Sequence, residues 1–266
     1  MSKSENDMCS REGLVVAIEQ SLLLSPSLRA AFLAVDRRLF VTPHYEYLGT
    51  RWVQQETPLA SIYTDRPLVT KLDEVGMPSC SISMPSVMAA MLEALDLQPG
   101  QRALEIGTDT GYNAALLNHL VGENGQVVSV DIDETLIGTA REHLALAGAY
   151  NVQVINADGL DGFPGLAPYD CIIATGGFRR LPPAWQEQLA PGGIVVGNHL
   201  GLLASVLVRL AKQEMEHWLA ACFLNQASLW NCIMGLQNDS RNHLTGRLMT
   251  RCLQKHSTLL LISLRP

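Results

Sequence analysis

The chain is short of charge, of aromatic side chains and of basic excess. Charged residues make up 17% of its 266 positions and aromatics 6%, whereas hydrophobic residues make up 47%. That balance argues against global disorder and allows a sizeable core, as one large domain or a core domain with appendages. Acidic residues outnumber basic ones, 26 to 19, for a net charge of -7. The chain as a whole therefore lacks the electrostatic signature of a nucleic-acid binder. No apolar run approaches the roughly 20 residues of a spanning helix. The opening stretch MSKSENDMCSRE is polar and has no apolar signal region. A cytoplasmic protein without a membrane partner is expected. The six cysteines (Cys9, Cys80, Cys171, Cys222, Cys232, Cys252) form no CxxC pair, and no histidine cluster accompanies them at zinc spacing. Free thiols in a reducing compartment are expected rather than a metal site or a disulfide framework. Internal repeats and low-complexity segments are also missing.

What is present is periodicity. Leu14, Val15, Ile18 and Leu22 recur at helical spacing over Glu12 to Leu24. Ser25-Pro26 reads as a capped helix start, and the helix is expected to continue towards Phe40. Thr42 to Ser83 has little period and reads as an extended loop region with short strands, one near Pro67 to Leu72. Then Val87, Met88, Met91, Leu92 and Leu95 form one apolar helix face that stops near Gln98-Pro99-Gly100. Strands follow at Arg102–Ile106, Gln126–Val130, Val152–Ile155, Tyr169–Ala174 and Ile194–Gly197. Helices fall between them at Gly111–Val121, Glu134–Ala147 and after Pro182-Pro183. Alternating strands and helices predict a parallel sheet covered on both faces, with a ligand beyond the carboxyl ends of the strands. Ser205 to Leu210 and Thr258 to Leu264 read as further strands. The polar stretch Gln237 to His256, with Arg241, Arg247, Arg251 and Lys255, reads as a solvated helix face.

The chemistry concentrates where the first of these strands meets its helix, in LEIGTDTG, residues 104–111. A dinucleotide fingerprint would need glycines at 107, 109 and 112, and only Gly107 is there. Asp109 would place a negative charge beside a pyrophosphate at the helix N-terminus, and no P-loop lysine follows. S-adenosylmethionine (SAM) has a ribose and an adenine, no phosphate and a cationic sulfonium, so acids around its loop do no harm. Glu105, Gly107 and Gly111 match the E/D-x-G-x-G-x-G pattern of enzymes that use it, and Asp109 departs. Asp131 ends the second strand about 20 residues past the loop, where an acid accepts ribose hydroxyls. Asp133 is its competitor, and a helix cap before Glu134 is the plain alternative. Asp158-Gly159 follows the third strand, with an ordinary Asx turn as its alternative.

The segment before the loop widens the match. Ser81-Ile82-Ser83-Met84-Pro85, an amphipathic helix and then LEIGTDTGYNAALLNHLVG resemble the protein-L-isoaspartate O-methyltransferase family, in which T/S-I-S-x-P precedes the first helix of the cofactor domain. Phe40-Val41-Thr42-Pro43, Thr64-Asp65-Arg66-Pro67-Leu68, Ala157-Asp158-Gly159, Tyr169-Asp170-Cys171-Ile172-Ile173 and Leu189-Ala190-Pro191-Gly192-Gly193 resemble further family elements. The resemblance covers about residues 20 to 200. It implies a Rossmann-like SAM-dependent methyltransferase with a mostly parallel, doubly wound sheet. Residues 1–83 would form an N-terminal helical and loop region, 84–210 the SAM-binding core, and 211–266 a divergent C-terminal extension with a final strand. The implied cofactor residues are Glu105, Gly107, Thr108, Gly111, Asp131, Ile132, Asp158 and Gly159. The implied active-site serine is Ser83, with Ser81 its nearest competitor, and no metal is implied.

The implied partner is a protein or peptide carrying aspartate or isoaspartate, methylated at a carboxylate that is already ionised at neutral pH. The departures are Asp109, Met84 and a longer, more acidic Leu72 to Pro78. V-T-K-L-D before the serine motif and G-Y-N-A-A-L-L in the loop helix bring the chain nearer to a bacterial branch found with peptide natural-product maturation. A small-molecule methyltransferase and a binding protein on the same scaffold are the other readings. Aspartate tolerates positive φ, so the loop turn survives it. Which way the Asp109 side chain faces then separates a modified site from an obstructed one.

Overall fold

The computed structural model describes residues 10–41, 43–56, 58–201, 205–213, 218–224, 248–250 and 258–264, with side chains through residue 213 except at residue 59. Helix α1 (Arg11–Glu19) starts at Ser10, whose side chain accepts from Gly13 N. It stops short of Leu24, because Ser25 N is held by Glu93 Oε1 at 2.6 Å and the chain must turn to reach it. Helix α2 (Pro26–Ala34) has the predicted Ser25 cap and Pro at its first position. It ends before Phe40, since Asp36 caps a separate 3-10 turn, Arg37–Phe40.

The expected loop region is a small sheet. Strands β1 (His44–Tyr47) and β2 (Trp52–Gln55), a single helical turn α3 (Leu59–Ile62), and strands β3 (Leu68–Leu72) and β4 (Pro78–Ile82) follow in order. The four strands pair antiparallel in the order β2-β1-β3-β4. The first strand expected, near Pro67 to Leu72, is β3.

Helix α4 (Pro85–Leu95) then leads into the large sheet. Its elements are β5 (Arg102–Ile106), α5 (Tyr112–Val121), β6 (Gln126–Asp131), α6 (Glu134–Leu146), β7 (Val152–Asn156), β8 (Tyr169–Phe178), α7 (Pro183–Gln188), β9 (Leu189–Leu200), β10 (Ser205–Lys212), β11 (Trp218–Leu224), β12 (Leu248–Thr250) and β13 (Thr258–Leu264). The strand order is β12-β13-β11-β10-β9-β8-β5-β6-β7. Pairings from β9 through β7 are parallel, as predicted. Those from β9 outward to β12 are antiparallel, so the C-terminal strands extend the core sheet rather than standing apart from it. The stretch 237–256 lies outside the described residues except for Leu248–Thr250, which is a strand and not part of a helix face.

Period-2 alternation puts the two faces of the parallel strands into two cores. Ala103, Val127, Cys171, Ile173 and Val196 pack under the helical layer with Leu14, Phe32, Leu92, Leu116 and Ile137. Leu104, Val128, Ile172 and Val195 pack on the other face with Tyr169, Phe178 and Trp185. From β5 the chain runs outward through β6 to β7 and then returns to the other side of β5 as β8. Strand order therefore reverses between β5 and β8, and their carboxyl ends diverge to leave a crevice. Among the described residues, no helix is long and apolar enough to cross a membrane.

Candidate cofactor and active site

The loop after β5 enters the crevice with three residues at positive φ: Gly107 (+96°), Asp109 (+45°) and Gly111 (+89°). Gly107 is needed for space as well as conformation. A Cβ there would collide with the Thr175 hydroxyl, which donates to Ile106 O (3.0 Å) and Gly107 O (2.9 Å). Asp131 and Asp133 differ in their surroundings. Asp133 caps α6 through Thr135 N and Leu136 N and pairs with Lys71 from β3. Asp131 faces the loop: its Oδ2 accepts from Thr108 N (2.9 Å) and Asp109 N (3.1 Å), and its Oδ1 from Asp133 N (3.0 Å).

Two hollows meet here. The larger, about 380 Å³, lies between the loop (Gly107, Thr108, Asp109), Asp131, the end of β8 and residues 78–83 of β4 and its exit. The smaller, about 210 Å³, is bounded by Ile132, Asp158, Gly159 and Phe178. Gly107, Asp131 and Gly176 border both, so the two halves run together around the loop. The structure thus brings Ser83, Gly107, Thr108 and Asp131 to the first and Asp131, Ile132, Asp158 and Gly159 to the second. Asp158 does form the Asx turn, accepting from Leu160 N.

Two of the residues expected to contact the cofactor are wall rather than lining by this geometry. Glu105 is fully buried behind the loop and borders neither hollow; it accepts from Asn113 Nδ2 (2.7 Å) and Ser129 Oγ (2.5 Å). Gly111 is the left-handed cap of α5, packed against Leu144 and Ala140.

Sequence reasoning passed over Asn113, Thr175-Gly176, Cys80 and Arg37. Arg37 is buried and donates to the carbonyls of Ile62, Thr64 and Arg66, and at 3.5 Å to that of Ser83, which ties the small sheet and the serine motif together. No spacing marks it, because its partners are backbone groups 25 to 46 residues away.

The electrostatics are acidic. Burial pushes Glu105 up to about 7, against the pull of Ser129 and Asn113. Burial likewise raises Asp109 to about 6, opposed by Thr70 and aided by Asp131. Burial lifts Cys80 to about 11, with Asp109 and Asp131 adding to it. Cys80 and Cys171 are free thiols as expected, and the other four cysteines lie outside the described side chains. Among the described residues, Asp109 and Asp131 are the charged side chains bordering the larger hollow, and neither lysine nor arginine joins them.

A crevice of one sign at a strand-order reversal suits a cationic nucleotide derivative and opposes a phosphate. SAM fits on three counts: a backbone-close approach at Gly107, an acid after the second strand, and uncompensated negative charge. The fold and this loop define a SAM-dependent methyltransferase of the Rossmann-like class. Comparison with known proteins narrows the class. The chain belongs to the protein-L-isoaspartate(D-aspartate) O-methyltransferase family, whose model matches residues 9–216. It is 37% identical to a protein-L-isoaspartate O-methyltransferase of Methanosarcina mazei over 204 residues, 77% of this chain and 75% of that one. It is also 37% identical to one of Thermotoga maritima, covering 65% of this chain and about half (50%) of that relative's length. A solved structure of a protein-L-isoaspartate O-methyltransferase superposes with a TM-score of 0.70 at 32% identity, over 80% of this chain and 62% of its own. A Plasmodium falciparum structure holding S-adenosyl-L-homocysteine shares the fold at TM-score 0.62 and 17% identity, over 77% of this chain and 90% of its own.

Proposed function

We propose that the chain transfers the methyl group of SAM to the free carboxylate of aspartyl or isoaspartyl residues in a peptide or protein. The observation that carries this reading is the polarity of the larger hollow. Its loop side is acidic, whereas its β4 side offers the neutral hydroxyls of Ser81 and Ser83. A carboxylate acceptor is repelled from the first and can be hydrogen-bonded by the second. Being ionised already, it needs no strong general base. It needs to be desolvated and held in line with the bond to the departing methyl, so positioning is most of the catalysis.

Ser83 is the residue proposed to hold one oxygen of that carboxylate. Arg37 fixes the Ser83 carbonyl, and Asp65 fixes the helix behind it by accepting from Ser86 N (2.8 Å). The cofactor contacts proposed are Gly107, Thr108 and Asp131 along the loop, with Ile132, Asp158 and Gly159 around the base. Glu105 acts through Asn113, Ser129 and the loop. Since β4 is an edge strand of its sheet, its backbone can meet an extended peptide beside the hollow. That favours a peptide over a small-molecule acceptor.

The test is transfer of isotope-labelled methyl from SAM to an isoaspartyl peptide and to an aspartyl peptide. Label released by mild base on either peptide supports the proposal. Label that resists mild base, or no transfer to either, overturns it.

A further inference from the structure

Asp109 stands where the cofactor-loop pattern has glycine, and its two carboxylate oxygens are in different circumstances. Oδ1 accepts from the Thr70 hydroxyl of β3 at 2.9 Å. Oδ2 is buried and makes no hydrogen bond of ordinary geometry, the adjacent Thr110 N–H giving the carboxylate only a weak backbone contact. Asn113, in the first turn of α5 and 7% exposed, is in the same condition: its Nδ2 serves Glu105, and its Oδ1 is buried without a partner. Both residues border the larger hollow. A buried acceptor left without a donor is unfavourable, so two bordering one cavity call for a ligand that brings donors. Among the described residues, no cationic side chain borders that hollow. Glu105 behind the loop, Asp131 at the end of β6 and Cys80 across on β4 are acidic or neutral groups. The ammonium of Lys71, next to Thr70 on β3, is taken by Asp133.

We infer that Asp109, together with Asn113, receives the α-ammonium of the methionine portion of SAM and is the residue that selects a cofactor carrying that group. The inference rests on the cofactor reading above. The ammonium is the one group of SAM that is both cationic and an N–H donor. The sulfonium has no hydrogen to give, and the adenine amine is neutral. The methionine carboxylate would be repelled by Asp109, which sets the orientation of that end of the molecule. Because burial already raises the Asp109 carboxyl, a cation at Oδ2 stabilises its ionised form, and binding weakens as the group protonates. The Thr70 bond makes the same side chain a link between cofactor and small sheet.

Calorimetric titration of the full chain, without acceptor peptide, tests this. The ligands are SAM, S-adenosylhomocysteine and a desamino S-adenosylhomocysteine in which hydrogen replaces the amine. Wild type should bind S-adenosylhomocysteine about tenfold or more tighter than the desamino compound. Asp109→Asn and Asp109→Gly should each lose about tenfold for SAM and S-adenosylhomocysteine alike, and bind the desamino compound as wild type does. From pH 5 to 7, where the ligand amine stays protonated, wild-type affinity should rise more steeply than that of Asp109→Asn. Glu105 titrates in both, so the difference belongs to Asp109. Equal wild-type affinity for the amine-bearing and desamino ligands, or variants that keep wild-type affinity for S-adenosylhomocysteine, overturns the inference. So does a loss in the variants that extends equally to the desamino compound. Absence of wild-type binding to any of the three would instead overturn the cofactor reading itself.

Discussion

At the scale of residues, the site separates groups that touch a ligand from groups that hold them. Ser83 sits on the hydroxyl side of the larger hollow, and its proposed partner is a charged carboxylate. A hydrogen bond to a charged group contributes about 1.5–3 kcal/mol. Ser83→Ala should therefore lower kcat/KM for the acceptor peptide by roughly 10- to 100-fold, with cofactor affinity by calorimetry unchanged; a parallel loss of cofactor affinity would place Ser83 in the cofactor site instead. Gly107→Ala behaves in the opposite way. It puts a Cβ into the Thr175 hydroxyl at a φ that L residues avoid, so cofactor affinity should fall by at least about tenfold. That Gly107 and Asp131 border the hollow could be read from the loop and strand spacing, whereas Ser83 stood out only through the family resemblance. Glu105 was legible as part of the pattern but not in its place: only the fold shows Ser129 and Asn113 closing around it. Thr175 and Asn113 were not legible, since one joins the loop from 68 residues away and the other looks like any polar residue in a helix.

At the scale of elements, the parallel strands and their helices follow from apolar periodicity and could be read in order. The small antiparallel sheet could not. Its strands are four or five residues long, too short for alternation to show, and β3–β4 has irregular register. Strand β11 was likewise missed, because its run WLAACFL has no period-2 pattern. The small sheet is held against the core by the buried Leu68 and Ile82 and by a set of polar contacts. Arg37 serves four carbonyls at the junction, Thr70 reaches Asp109, and Lys71 reaches Asp133. Arg37→Lys keeps the charge but has no planar fork to span those carbonyls. With at least one or two carbonyls left unsatisfied at about 1–3 kcal/mol each, a clear drop in Tm is expected. Hydrogen exchange should accelerate first across residues 62–86. Uniform acceleration over the whole chain would mean that the junction is not a separate unit. Lys71→Met is the milder case. The pair is partly exposed, so its loss should change stability by no more than about 1 kcal/mol and in a salt-dependent way.

At the scale of the whole molecule, four carboxylates fall into two pairs with opposite linkage to pH. Hydrogen bonds from Lys71 and Thr135 hold Asp133 at about 2, below its ordinary 3.8. Asp36 is also near 2: burial would raise it, but Arg38 and Tyr63 more than compensate. A depressed folded-state pKa contributes stability above the unfolded value, so these two contributions are lost as pH falls from about 4 towards 2. Glu105 and Asp109 have the other sign. Their folded values of about 7 and about 6 stand above the ordinary 4.5 and 3.8. The stability they contribute is complete below pH 4 and is lost as pH rises through 6 and 7, because the native state must then ionise a buried acid that the unfolded chain ionises freely. The ligand-free protein should consequently be most stable on the acid side of neutrality, with Tm falling between pH 5 and pH 8. For a fully buried carboxyl the loss is of order 3 kcal/mol, or several degrees in a chain of this size. Glu105→Gln removes the ionisation while keeping a group that can hydrogen-bond Ser129 and Asn113. Its Tm profile should be flatter over that interval, and its acid limb, set by Asp36 and Asp133, should be unchanged. A wild-type Tm that rises from pH 5 to 8, or a Glu105→Gln profile parallel to wild type, would show that the buried acid is not what couples this fold to pH. Saturating S-adenosylhomocysteine should shallow the decline further in wild type but not in Asp109→Asn, because a bound ammonium compensates the Asp109 charge and has no counterpart to compensate in the amide.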